Sequence, residues 1–300
     1  MKAETKAFAI IYLFLILYLA FGAFNYLDTG KINHNQDFDF HFKNAQGIQE
    51  HSYKELYNGL FQYFGFNQFV FYAINVFLII VLIPFFLFLL NKNYWNVIIY
   101  FFGVSFAHQT IYGATFPSAL IILFFLIYLN NRWNWFLLMI LTGLSYYTHS
   151  KGIYLFLAIW IAELLYIVVL PKILPKLKQN LADVKRFAPV VFMQQMNMNT
   201  WQNSLWLFFI NAPLPMLYFG LRKMRDFFLW FMISVSILGA IFIDYRTICI
   251  LQIILCYSVG EQVPKLSKKI KVGLCIYLLL QLGFYLLDYL GGTRSLLFSV

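Results

Sequence analysis

The chain has 300 residues, of which 62% are hydrophobic and only 11% are charged. A soluble domain carries about a quarter charged residues, so this composition excludes an ordinary water-soluble protein and predicts a surface that faces lipid. The net charge of +10 does not indicate nucleic-acid binding, because the basic residues fall in short loops between apolar runs, where the positive-inside rule expects them.

The first apolar run covers residues 7–24 and is long enough to cross a bilayer. Lys2 and Lys6 precede it, which favours a cytoplasmic N-terminus. A short basic start is also typical of a signal peptide. Residues 21–24 offer a poor cleavage site, however, so we predict a retained anchor helix.

A long polar loop follows at residues 25–68, and the topology puts it on the outer side of the membrane. Asp37, Asp39 and His41 stand within five residues of one another in this loop, between phenylalanines. From about residue 41 to residue 63, apolar and polar positions alternate at helical spacing. This pattern predicts a helix that lies in the membrane interface.

The remaining chain consists of apolar runs separated by short polar turns. The further predicted spans are residues 69–91, 94–107, 117–129, 135–148, 152–170, 204–221, 227–243, 247–260 and 272–290. The positive-inside rule requires one more crossing, short or polar, within about residues 180–203. We therefore predict one all-α, polytopic membrane domain over residues 1–300, with about 10 or 11 transmembrane helices and no separate soluble domain.

This topology brings polar side chains from several turns to the outer side. Two hairpin tips contribute His108 and the pair His149 and Lys151, and a later tip contributes Asp244 and Arg246. Polar residues collect in loops in any membrane protein. Because these tips are short and would converge, we favour a pocket at the membrane surface over a chance accumulation.

Sugar transfer from a lipid phosphate would need the groups found here. A carboxylate can take the proton of the acceptor hydroxyl, and Asp37 and Asp39, with His41 beside them, are the predicted catalytic residues. Cations stabilise the charge on the leaving phosphate, and Arg246 and Lys151 are predicted to supply them. An Asp-x-Asp pair is also able to hold a divalent ion such as Mg²⁺ or Mn²⁺ through its oxygens.

The order of these motifs resembles the GT-C superfamily of integral-membrane glycosyltransferases, which use polyprenyl-phosphate-linked sugars. Residues 37–42, followed by an interfacial helix, resemble the first-loop acidic motif of that superfamily. Thr148-His149 resembles the turn of its middle helices, and Asp244-Tyr245-Arg246 resembles its late Arg-Tyr-type turn. The resemblance implies Asp37 or Asp39 as catalytic base or metal ligand, and Arg246 as phosphate contact. The chain departs from the pattern in being short and in its polar crossing.

The resulting hypothesis is an inverting glycosyltransferase with its active site on the extracytoplasmic or lumenal face. A lipid-linked sugar would be the donor, and a glycan, a lipid or a protein the acceptor, with His149, His108 and Asp244 as further substrate-binding residues. The alternatives are a polysaccharide polymerase of similar layout, a transporter or flippase, and a non-catalytic membrane subunit. A transporter would need an ionisable group within the membrane, and Glu163, inside the predicted span 152–170, is the candidate.

Overall fold

The computed structural model describes residues 2–32, 42–43, 67–104, 116–148, 152–168, 226–242 and 248–289. Every regular element within these ranges is helical, and no strand occurs among them. The all-α prediction is therefore confirmed for this part of the chain. Except for Phe42 and Lys43, which are helical, the predicted interfacial helix lies outside the described residues, as do the predicted crossing within 180–203 and the predicted span 204–221.

The helices follow the predicted spans closely. In chain order they are α1 (Ala3–Thr29), α2 (Gln68–Leu89), α3 (Tyr94–Ile98, continued by a π-helical turn Ile99–Gly103), α4 (Phe116–Asn130), α5 (Trp135–Thr148), α6 (Gly152–Val168), α7 (Phe227–Phe242), α8 (Ile248–Gln262) and α9 (Lys268–Tyr289). A 3₁₀ turn, Val263–Lys265, joins α8 to the segment that precedes α9. Most ends lie within a few residues of the predicted ones.

Two helices of the described chain, α1 and α2, are long and apolar enough to cross a membrane. Shorter apolar helices occupy Ala119–Asn130, Trp135–Thr148, Gly152–Ile167 and Phe228–Leu238. Leu13, Leu17 and Leu27 of α1 are exposed, whereas Ile79 and Leu87 of α2 are fully buried. Helix α1 therefore lies at the periphery of the bundle and α2 near its centre.

Helix α1 packs against the bundle through one stripe of its surface. Ala7, Ile11, Phe14 and Tyr18 are buried at spacings of three and four residues, which places them on one helical face. The Phe14 ring stacks on the Phe101 ring of α3 at 4.2 Å between centroids. One turn beyond Tyr18, a side chain at Gly22 would collide with the ring of Tyr72, so glycine lets α2 approach α1 here.

A π-helical segment, Phe77–Leu82, interrupts α2 immediately before Pro84. Proline has no N–H and its ring collides with the carbonyl four residues earlier, so an α-helix cannot pass it undisturbed. The wider turn accommodates the chain, and the Ile83 N–H donates to the Leu78 carbonyl five residues back. The Tyr100 hydroxyl of α3 donates to the Ile79 carbonyl at 2.8 Å.

Asparagine side chains join several helices at one end of the bundle. The Asn93 amide donates to the Gly260 carbonyl of α8 at 2.6 Å. The Asn96 amide donates to the Leu87 carbonyl at 2.8 Å and to Asn91 Oδ1 at 2.9 Å. We call this the basic end, because the helix termini and turns here carry most of the lysine and arginine of the described chain: Lys2, Lys6, Lys92, Arg132, Lys265, Lys268, Lys269 and Lys271.

Replacing Gly260 by alanine should destabilise the fold. A methyl group there would collide with the Asn96 side chain and lie 2.9 Å from the Asn96 backbone nitrogen. We expect the free energy of unfolding in mixed detergent micelles to fall by about 1–3 kcal/mol. Gly143→Ala is the matched control, because open space surrounds that glycine of α5, and we expect a gain of about 0.5–1 kcal/mol. Equal effects of the two substitutions would contradict the close packing of α8 on α3.

Candidate functional site

The eight predicted site residues lie outside the described residues, so the structure places none of their side chains. They are Asp37, Asp39, His41, His108, His149, Lys151, Asp244 and Arg246. The structure does describe the helix ends on either side of the segments that contain them. These helix ends can be assigned to one end of the bundle or the other from their contacts.

Contacts at the basic end fix the direction of each helix. The Lys6 ammonium near the start of α1 lies 4.9 Å from the ring centre of Tyr94 at the start of α3. The Asn130 amide at the end of α4 donates to the Phe86 carbonyl near the end of α2 at 3.1 Å. With the Asn93–Gly260 bond, these contacts place the starts of α1 and α3 and the ends of α2, α4 and α8 at the basic end.

An ion-pair cluster places three more helix termini there. Arg132, in the turn between α4 and α5, contacts Glu163 near the end of α6 and Asp226 just before α7. Helices α5 and α7 therefore start at the basic end, and α6 ends there. The other termini of these helices lie at the opposite end of the bundle.

Each segment with a predicted site residue adjoins this opposite end. Residues 33–41 follow α1, residues 105–115 precede α4, residues 149–151 join α5 to α6, and residues 243–247 join α7 to α8. The two ends of the first loop also meet there, because the ring of Tyr26 lies 4.6 Å from the ring of Phe69. The helix directions thus agree with the prediction that these segments share one side.

Phe42 is the described residue next to the acidic motif. Its side chain is buried, and its ring centre lies 5.7 Å from that of Phe71, in the first turn of α2. His41 is its neighbour in sequence, and Asp39 precedes it by three residues. Phe42 therefore packs against the start of α2.

The ion-pair cluster itself is a buried polar site at the basic end. Arg132 Nε donates to Glu163 Oε1 at 2.8 Å, and its Nη2 donates to Oε2 at 3.4 Å. The Tyr128 hydroxyl donates to Glu163 Oε1 at 2.9 Å. Arg132 Nη1 donates to Asp226 Oδ2 at 3.0 Å, and the other oxygen of Asp226 accepts the Phe228 N–H and so caps α7.

Aromatic rings surround the Arg132 guanidinium. Its central carbon lies 4.4 Å from the ring centre of Phe228, 5.0 Å from that of Trp133 and 5.5 Å from that of Tyr166. Partial burial disfavours the charged guanidinium. The hydrogen bonds to Glu163 and the charges of both carboxylates outweigh that burial and raise the pKa of Arg132 above its ordinary value. Arg132 therefore keeps its charge across the whole neutral range.

In the sequence analysis, Glu163 is the candidate for an ionisable group inside a membrane span. The structure shows a fully buried carboxylate near the basic end of α6, with both oxygens bonded to Arg132. The sequence analysis did not connect it with Arg132 or Asp226. A usable signal existed for Asp226, because an aspartate directly before an apolar run is typical of a helix N-cap.

The predicted metal ligands, Asp37 and Asp39, are outside the described part of the chain. Within that part, no group of three or more His, Cys, Asp or Glu residues is placed to hold a metal ion. The three cysteines, Cys249, Cys256 and Cys275, lie in helices and form no disulfide bond with one another. Cys256 is buried, whereas Cys275 is exposed.

Comparison of the chain with protein-family models, with curated proteins and with solved structures finds no match in any of the three. Over the residues that the structure describes, the protein is all-helical and has two helices long and apolar enough to span a membrane. The resemblance to the GT-C superfamily rests on sequence motifs alone, and a GT-C fold for this chain stays a prediction.

Removing Glu163 should destabilise the protein strongly. Glu163→Ala leaves the partly buried Arg132 with half of its partners, and breaking such a pair costs about 3–5 kcal/mol. Arg132→Lys should also destabilise the protein although it keeps the positive charge, because an ammonium cannot donate in parallel to both oxygens of Glu163 and to Asp226. Unfolding in mixed micelles measures both effects.

The exposed pair of Lys265 and Glu261, 3.9 Å apart on one helical face, provides the control. Glu261→Ala should change the free energy of unfolding by at most about 0.5 kcal/mol, because exposed pairs contribute little. A small loss for Glu163→Ala, similar to that of the control, would show that the Arg132 cluster does not hold the helices together.

Proposed function

We propose that this chain is a membrane glycosyltransferase that moves a sugar from a polyprenyl-phosphate-linked donor to an acceptor hydroxyl. The observation that carries the proposal is that all four segments with predicted catalytic or binding residues adjoin the same end of the helix bundle. The contact of Phe42 with Phe71 at the start of α2 supports it, because Phe42 directly follows His41 in sequence.

The proposed orientation follows from charge. The basic end faces the cytoplasm, and the opposite end, where Lys31 and Lys43 are the described basic residues, faces the outer or lumenal side. The multi-pass topology is part of the proposal. It would place the acidic motif at the membrane surface, where the phosphate of a lipid-linked donor lies.

The proposed reaction is an inverting displacement at the anomeric carbon. The acceptor oxygen bonds to that carbon while the bond from the carbon to the phosphate oxygen breaks, and polyprenyl phosphate leaves. Asp37 or Asp39 takes the proton of the acceptor hydroxyl. Arg246 and Lys151 stabilise the negative charge that grows on the leaving phosphate. A divalent ion, when bound by Asp37 and Asp39, would supply further charge stabilisation of the same kind.

Three further groups are assigned to substrate binding: His108, His149 and Asp244, which occupy the other segments at this end. His41, which follows the acids in sequence, is assigned to the catalytic group with Asp37 and Asp39. Imidazole and carboxylate groups suit the hydroxyls of a sugar as well as phosphate oxygens. A transfer assay with several sugars and several acceptors would identify the sugar and show whether the acceptor is a glycan, a lipid or a protein.

The transporter alternative loses its main support from the described residues. It relied on Glu163 as an exchangeable ionisable group, and that carboxylate is held by Arg132 and Tyr128. A polysaccharide polymerase of similar layout would use the same end of the bundle. The choice of acceptor in the assay below separates it from a transferase that adds single sugars.

Neutralising the acidic motif should abolish transfer. We expect Asp37→Asn or Asp39→Asn to lower the turnover of polyprenyl-phosphate sugars in reconstituted vesicles by about 10²–10⁴-fold, the contribution of a general base. Asp28→Asn, an exposed aspartate in the last turns of α1, is the control and should keep wild-type turnover. Full activity in both motif variants would overturn the assignment of the base.

The orientation can be tested by labelling introduced cysteines. In a variant without the three native cysteines, Lys31→Cys should react with a membrane-impermeant maleimide added outside cells or right-side-out vesicles. Lys268→Cys at the start of α9 should react only after the membrane is permeabilised. Labelling of both positions from the same side would contradict the proposed topology.

A further inference from the structure

Three segments of the chain meet at one part of the basic end. They are the start of α1 (residues 2–6), the turn between α2 and α3 (residues 90–95) and the connection from α8 to α9 (residues 260–271). The Lys6 ammonium lies 4.9 Å from the ring centre of Tyr94, which joins the first segment to the second. The Asn93 amide bonds to the Gly260 carbonyl, which joins the second segment to the third.

These segments carry a large excess of positive charge. Together they contain seven lysines and two glutamates. One of the glutamates, Glu261, lies 3.9 Å from the Lys265 ammonium, but both side chains are more than half exposed, so this pair offsets little of the charge. Five of the lysines are exposed, and we call them the lysine patch: Lys2, Lys92, Lys265, Lys268 and Lys269.

The lysines at the start of α9 oppose the dipole of their own helix. Lys268 and Lys269 begin α9, and Lys271 completes its first turn. The backbone N–H groups at a helix start carry partial positive charge, so lysines there are unfavourable. This turn contains no acidic residue that would offset them. Negative charge from outside the helix would therefore stabilise the start of α9.

The exposed surface of α9 changes from charged to apolar within its first two turns. Its first two residues are lysines of the patch, whereas Ile270 and Val272 are exposed apolar side chains. Between them, the Lys271 ammonium reaches back and donates to the Pro264 carbonyl at 2.9 Å. A lysine at a membrane surface extends in this way, with its stem along apolar surface and its charge toward water. The exposed apolar side chains continue along the helix with Ile276, Leu279 and Leu280.

The start of α1 shows the same change. Lys2 is exposed, and the exposed apolar side chains begin at Phe8, two turns later. Tyr94 and Trp95, whose rings lie 5.5 Å apart, are at the level of Lys6. Tyrosine and tryptophan are enriched where a bilayer changes from acyl chains to headgroups. The lysine patch therefore lies at the level of the lipid headgroups.

We propose that the lysine patch binds the phosphate groups of anionic phospholipids in the membrane leaflet at the basic end. The exposed apolar side chains of α9 and α1 contact the acyl chains of the same lipids. A phospholipid supplies the negative group and the apolar chain in one molecule, and this pairing favours it over a free phosphate or an acidic protein. The binding surface is at the end of the bundle remote from the predicted site segments, so it goes beyond the proposed function.

Lipid selection can be measured next to the patch. Cys275 is exposed on α9, one turn beyond Lys271, and accepts a fluorescent maleimide in a Cys249→Ala variant, in which the remaining cysteine, Cys256, is buried. Phospholipids with brominated acyl chains quench the fluorophore when they lie beside it. The labelled protein is reconstituted in phosphatidylcholine vesicles that contain either brominated phosphatidylglycerol or brominated phosphatidylcholine.

Brominated phosphatidylglycerol should quench more strongly at equal mole fraction. Lys268→Gln should lower this preference by up to about fivefold, the contribution of one charge near an anionic surface. Combined glutamine substitution of Lys265, Lys268 and Lys269 should remove most of the preference, whereas arginine at the same three positions should keep it. Lys31→Gln with Lys43→Gln, at the opposite end, is the matched control and should leave the preference unchanged.

Two results would overturn the proposal directly. One is equal quenching by the two lipids in the wild-type protein, and the other is loss of the preference in the arginine variant, which keeps the charge. Added salt should reduce the preference, and phosphate and chloride should do so equally at the same ionic strength. A much stronger effect of phosphate would indicate a site for free phosphate and would contradict binding of a lipid surface.

Discussion

The buried carboxylate of Glu163 imposes the constraint on which the arrangement of the later helices depends. A charge in an apolar bundle is tolerated only with an opposite charge and a full set of hydrogen bonds. Arg132 provides both, and its remaining nitrogen holds Asp226. The turn between α4 and α5, the end of α6 and the start of α7 therefore meet at one guanidinium. The cluster therefore helps to set the distance between the far ends of these helices, which flank the segments that contain Lys151 and Arg246.

The two ends of the bundle are built with different chemistry. At the basic end, the amides of Asn93, Asn96 and Asn130 donate to backbone carbonyls of neighbouring helices. Such bonds use carbonyls that helix ends leave without a partner in their own helix, and they join neighbouring helices at this end. At the opposite end, the described contacts between segments include the aromatic pairs Tyr26–Phe69 and Phe42–Phe71.

Sequence periodicity and hydrophobicity predicted the helices well, because a long apolar run bounded by polar turns has few other ways to satisfy its backbone in lipid. They could not predict the Arg132 cluster, since Glu163 and Asp226 are far apart in the chain and each resembles an isolated charge. The π-helical segments could not be predicted from the sequence either, because their residues are ordinary apolar ones. Pro84 predicts that α2 is disturbed but does not predict that the disturbance is a π-helical turn.

The charges of the Arg132 cluster do not balance, because one guanidinium contacts two carboxylates. The Glu163 carboxylate is fully buried, whereas the Asp226 carboxylate is partly exposed, so the second negative charge lies where water and dissolved ions reach it. Salt screens exposed charges strongly and buried charges much less. Dissolved salt therefore weakens the contact of Arg132 with the start of α7 more than its contact with α6, and the two helices are held by one guanidinium with different sensitivity to ionic strength.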